Sequence, residues 1–260
     1  MGHERVGILP KSEKWREIVV DIADFDSDNP EITPIVQKTL EGVRNQFDNL
    51  QYDKSVFEIF KFLILLSISG KRENQKEFLS PLDINIPKTQ TALGLAKSLS
   101  KYLESQGVNS KEFESLAKNS AFDTIAEWYE KSSTNQLQLF DKQNISDVWS
   151  TAADGRGFCE LSRIYFSNLV ERYLKYFVER EASSKMPFFN DRNLLNRQLE
   201  KHIDQISKHA FETTKITQSY SAGWFNKHTK HKVPSDRLIK NYIGYSLGKI
   251  KGELLRESEK

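Results

Sequence analysis

Apolar residues recur at i, i+3, i+4 and i+7 along nearly the whole chain, and this spacing constrains the fold more than any other feature. Trp15, Ile18, Val19 and Ile22 set the pattern behind Ser12, whose hydroxyl suits a helix N-cap. A second helix is expected from the Asn29-Pro30 pair through Ile35, Val36, Leu40, Val43 and Phe47, with Pro34 in its first turn, where a missing N–H costs little. The most apolar stretch, 56–68, ends at Gly70, and Lys71 and Arg72 beyond it suit the negative end of a helix. It is 13 residues long and interrupted by Glu58 and Lys61, whereas a bilayer span takes about 20 apolar residues. It reads as a core helix.

Segment 78–87 departs from the pattern. Leu82, Ile84 and Ile86 alternate with Asp83 and Asn85 between two prolines, as in an extended connector or short edge strand. Helical spacing resumes over 91–105 (Leu95, Leu99, Tyr102, Leu103), stopped by Gly107, and over 110–131, with Phe113, Leu116, Ile125 and Trp128. Residues 131–146, with Ser132, Ser133, Thr134 and Asn135 and no apolar stripe, read as a linker. Three longer helices follow, over 157–182, 191–219 and 235–257, set apart by Pro187 and Pro234. The expected fold is therefore all-α, with seven or eight helices in one or two packed bundles: 1–130, the linker 131–146, and 147–260. No repeat at a solenoid period is present.

Composition supports a folded, soluble chain. Charged residues are 28% of the total, an ordinary share, and 16 Phe, 9 Tyr and 4 Trp supply large apolar areas for a core. The single Cys159 forms no internal disulfide and no secretory signal precedes the first helix, which favours the cytoplasm. Val6 stands where a myristoylation signal takes Ser or Thr. A net charge of +2 conceals an asymmetry: residues 1–160 hold 19 basic and 25 acidic side chains, and residues 161–260 hold 19 and 11. The first part is net acidic and the last hundred residues are net basic. Such a charge distribution suits nucleic acid or an acidic partner, or mutual attraction between the two parts.

The basic surplus has a focus. Between Glu212 and Asp236 lie 23 residues without an acid, carrying Lys215, Lys227, His228, Lys230, His231 and Lys232 among Tyr220, Trp224 and Phe225. Cations beside flat rings can hold phosphates and stack bases, or can dock an acidic protein. The competing reading is a solvated loop whose Trp224 and Phe225 anchor it to the core. Arg156 belongs to Asp154-Gly155-Arg156-Gly157, which opens a helix; it lacks dinucleotide or Walker spacing and reads first as a capping turn, with Arg156 free to face a ligand.

Signals for catalysis are weak. His202 and His209 lie with Gln198, Gln205 and Glu212 on one polar stripe, but seven positions separate the histidines, about 10.5 Å along a helix. Metal bonds of about 2 Å do not span that gap. On a helical wheel Cys159 falls with Phe166, Val170 and Phe177, as a buried thiol. No nucleophile triad, glycine-rich nucleotide loop or zinc spacing is found, and no cofactor or metal is expected. The expectation is a non-catalytic binding subunit rather than an enzyme, with a pure protein–protein scaffold docking an acidic partner and a metal-dependent hydrolase around His202, His209 and Glu212 as the rival readings.

The runs GRGFCELSRIYFSNLVERYLKYFVEREAS and HAFETTKITQSYSAGWFNKH resemble bacterial proteins encoded among phage-defence and mobile-island genes. That resemblance covers the last hundred residues and implies a context: a subunit of a multiprotein system, working beside a separate motor or nuclease.

Overall fold

A computed structural model describes residues 9–87, 91–108, 113–137, 148–211, 219–230 and 232–256. Among the described residues the protein is all-α, 78% helical, with no strand. The helices are α1 (Glu13–Ala23), α2 (Thr33–Gly42), α3 (Arg44–Asn49), α4 (Lys54–Ser69), α5 (Gln75–Leu79), α6 (Ala92–Ser105), α7 (Glu114–Leu137), α8 (Gly155–Lys185), α9 (Phe189–Ala210), α10 (Tyr220–His228) and α11 (Asp236–Arg256).

These are 11 helices among the described residues, not the seven or eight expected. Three short ones make the difference. The helix expected through Phe47 divides after Gly42, where a Cβ would sit 3.0 Å from the Trp15 ring, and Val43 leaves helical angles at φ −109°. The segment expected to be extended at 78–87 instead finishes α5 and enters a 3-10 turn, Ser80–Leu82. Asn74 starts α5 by accepting the Glu77 amide at 3.1 Å, and Asp83 in the left-handed region (φ 61°) turns the chain so that Ile84 buries. The third is α10, inside the stretch read as a basic loop. Ser219 caps it, its hydroxyl accepting the Ala222 amide at 3.1 Å.

Other boundaries move less. Ser12, Asp53 and Thr91 cap α1, α4 and α6 through their side-chain oxygens. α7 runs on to Leu137, into the segment read as linker, with Lys131 bonded to Glu127 one turn back and to Glu160 of α8. Residues 138–147 lie outside the described residues. α9 ends at Ala210, short of the expected residue 219.

The 31-residue α8 is the axis of the fold, packed against α1, α2, α7, α9, α10 and α11. Its apolar residues occur on every side, so neighbours can cover it all round. α4 is the second inner helix: only Lys54 and Lys61 escape burial, and it packs against α5, α6, α7 and α11. Phe60 of α4 joins the two axes, with ring centroids 4.8 Å from Phe166 of α8 and 5.3 Å from Tyr242 of α11. Burying one such phenyl ring contributes roughly 1.5–3 kcal/mol. A single cluster of buried side chains includes residues on both sides of 131–146, from Trp15 to Leu254. No helix among the described residues is long and apolar enough to cross a membrane.

Candidate phosphate-binding cleft

Three segments meet around one cleft. The first is the end of α4, where Gly70 closes the helix and Lys71 and Arg72 follow. The second is the turn before α8, and the third is the last turn of α10. Close packing of backbone holds them together. A Cβ on Gly70 would strike the Trp149 carbonyl, one on Gly157 the Thr151 carbonyl, and one on Gly155 would lie 2.6 Å from the Asn226 amide nitrogen. Glycines at these positions let the α4 end and α10 approach the turn, which the sequence signalled only as a cap.

Between the segments is an open cleft of about 580 Å³, lined by Lys71, Arg72, Asn226, Thr229 and Lys230 over a floor of Ile68, Ala153 and Phe225. All three cations are exposed and none is in an ion pair among the described residues; no carboxylate lines the cleft. The Arg72 guanidinium lies over the Phe78 ring, 5.1 Å from its centre, within cation–π range. Lys227 and Lys232 extend the positive field: burial first, and these two charges after it, push the His228 imidazole below its ordinary pKa. Arg156 is exposed in the first turn of α8, next to Gly155 and its contact with Asn226.

A larger groove between α7, α8 and α9 differs in kind. It too is rich in charge, but its charges are mutually compensated. Arg163, buried in its floor, donates to Glu160 at 2.9 Å, to Asp204 at 2.5 Å and to the Ser207 hydroxyl at 3.0 Å. Burial opposes ionisation of Glu160 and Asp204, but their bonds to Arg163, Lys131 and Lys208 outweigh it and hold both carboxyls below the usual range. An anion approaching this groove meets as many acids as bases.

The sequence-predicted site divides accordingly. Lys227, Lys230, Lys232 and Arg156 are exposed, and Tyr220 is 40% exposed. Trp224 and Phe225 are buried, and the expectation that they could stack on bases is corrected. Trp224 packs 4.7 Å from Tyr242, and Phe225 stacks 4.4 Å from Phe158, so both rings are packed into the core. Lys215, His231 and Glu212 lie outside the described residues. The sequence reading missed Lys71 and Arg72 as site residues, having seen them only as helix-end cations.

Among the described residues the polar stripe of α9 does not converge. His202 is buried and His209 exposed, and no group of three metal-ligating side chains occurs among the described residues. Cys159 is fully buried on α8, accepting from the Ser219 hydroxyl at 3.3 Å, and burial pushes its thiol up from the ordinary pKa. No family model, curated protein or solved structure matches the chain.

Proposed function

We propose that this protein is a binding subunit of a bacterial multiprotein system, and that its cleft holds the phosphate backbone of DNA or RNA. One observation carries the reading: Lys71, Arg72 and Lys230, brought from positions far apart in sequence, converge on a concave surface that contains no carboxylate. Arg156, Lys227 and Lys232 enlarge the same positive field, and Lys215 and His231 belong to the same acid-free stretch of sequence. Such an arrangement attracts phosphates without reading bases, so binding is expected to be insensitive to sequence. The role within a defence system is supported by the resemblance of segments 155–183 and 209–228.

Fluorescence anisotropy with labelled duplex DNA across a salt series tests the cleft. Replacing Lys71, Arg72 and Lys230 together by Ala should weaken binding to all sequences alike and flatten the log–log salt slope by about two to three units, at about 0.9 per phosphate contact. Because all three side chains are exposed, helix content and melting temperature should stay as in the wild type. An unchanged slope, or no binding by the wild type at low salt, defeats the reading. The same cations would then face an acidic protein partner.

A further inference from the structure

A second surface, outside the cleft, combines exposed rings with cations. On α11, Arg237, Asn241, Tyr245 and Lys249 follow one another at i, i+4 and all four are exposed. Beside them lies a groove of about 590 Å³ lined by Gln51, Tyr52, Arg237, Lys240, Asn241, Gly244 and Tyr245, again without a carboxylate. Two rings face it. Tyr52 is 79% exposed at the end of the 3-10 turn Leu50–Tyr52, and Tyr245 is 39% exposed. Tyr220, at the first turn of α10, backs Tyr245 with ring centroids 3.8 Å apart, and the Lys249 amine sits 5.7 Å from the Tyr245 ring centre.

Two acids on the elements beside this face are already paired, Asp236 with Lys61 and Asp48 with Lys251, and Asp53, next to Tyr52, is engaged in capping α4. Arg237, Lys240 and Lys249 form no ion pair among the described residues; Lys240 lies over the Phe57 ring at 5.2 Å. A lone exposed tyrosine is unremarkable on a soluble protein. Two rings opening on one carboxylate-free groove, with Arg237 and Lys240 lining it and Lys249 one turn beyond Tyr245, form a surface complementary to a ligand with flat aromatic groups joined by anions. Single-stranded nucleic acid has that chemistry, and duplex does not, since its bases are already stacked.

We propose that this face of α11 binds single-stranded nucleic acid, with bases stacked on Tyr52 and Tyr245 and phosphates held by Arg237, Lys240 and Lys249. The proposal rests on the reading of the protein as a nucleic-acid binder but assigns it a separate surface with a different preference. The two surfaces lie at opposite ends of α10, the cleft at its last turn and Tyr220 at its first.

The test compares three labelled probes by anisotropy: a short oligothymidylate, an abasic oligomer of equal length, and a blunt duplex. In the wild type the oligothymidylate should bind more tightly than the abasic oligomer. Tyr52→Ala with Tyr245→Ala should weaken oligothymidylate binding by about tenfold or more, since stacking contributes on the order of 1–3 kcal/mol per base. Abasic and duplex binding should not change, and Tyr52→Phe with Tyr245→Phe should restore the oligothymidylate affinity, because the rings remain. Equal affinity for the abasic and base-bearing oligomers in the wild type overturns the proposal. So does an alanine pair that leaves oligothymidylate binding intact, or a wild type that self-associates through this face as seen by its loss of dimer in the alanine pair.

The cleft variant separates the two readings. If Lys71→Ala, Arg72→Ala and Lys230→Ala together spare duplex binding while the tyrosine pair abolishes the preference for bases, the cleft reading fails and this one stands. The converse result sinks this one and leaves the cleft.

Discussion

Tyr102 on α6 donates its phenolic hydrogen to the Glu58 carboxylate on α4 at 2.7 Å, with the two residues only 1% and 7% exposed. Burial first, and the adjoining carboxylate second, raise the Tyr102 pKa far above its ordinary value, so the phenol remains a donor at any physiological pH. Tyr102→Phe keeps the ring and removes the donor, leaving a carboxylate in the core without its partner. Loss of about 1–3 kcal/mol is expected in urea denaturation. Replacing both residues, Tyr102→Phe with Glu58→Leu, should be milder than the single change. An unaltered midpoint in Tyr102→Phe would show that Glu58 does not depend on it.

Glu171 introduces a pH dependence of the opposite sign to the paired acids beside it. Burial, followed by repulsion from Glu200, raises its carboxyl from the ordinary 4.5 to about 6. The folded protein therefore holds this proton more tightly than the unfolded chain. Its contribution is most favourable below about pH 4.5 and is lost as pH rises through about 6, by no more than about 2 kcal/mol. Glu160 and Asp204, with lowered values, contribute above their unfolded pKa values and lose that contribution on acidification. Glu171→Gln should thus be more stable than wild type at pH 7, with the difference shrinking toward pH 4.5. Melting temperatures of both proteins across this range decide it; parallel curves would remove Glu171 as the cause.

Gly248 and Gly252 sit inside α11, exposed, and a Cβ on either would meet nothing within 4 Å. Glycine in a helix interior costs roughly 0.5–1 kcal/mol relative to alanine. Gly248→Ala and Gly252→Ala should each stabilise the protein by about that amount, additively, in thermal or urea denaturation. Destabilisation by either would mean that the helix surface is not free in solution. Gly244 provides the contrast: a Cβ there would lie 2.6 Å from the Gln51 side-chain oxygen, so its replacement has to displace Gln51 first.

Long helices were legible because their signals are redundant. α4, α6 and α8 each combine a capping side chain, several turns of apolar spacing and a glycine or proline signal near one end. α5 and α10 were not, since five and nine residues contain too few turns to reveal a period. The site was half legible for a related reason. Lys227, Lys230 and Lys232 stand out by proximity in sequence, whereas Lys71 and Arg72 join them only because Gly70 and Gly155 let distant backbones touch. Trp224 and Phe225 stayed open between stacking on a ligand and anchoring to the core, because composition does not say which way a ring faces. Ser219 sets the start of α10, and with it the direction of both rings.

The position of α8 also governs the order in which the chain can complete itself. Trp15 on α1 packs edge-on against Phe177, and its indole N–H reaches Glu181 at 2.8 Å, 166 residues further along. During synthesis α1 and α2 leave the ribosome long before α8, against which both pack, exists. They can pack on each other early, but the parts of their apolar faces that meet α8 stay uncovered until α8 has been translated, and the rings of Phe158 and Phe166 wait in turn for later segments. A nascent chain of this kind has little to gain from folding early and much hydrophobic surface to shield meanwhile, which makes its passage through synthesis, rather than the finished fold, the point most exposed to aggregation.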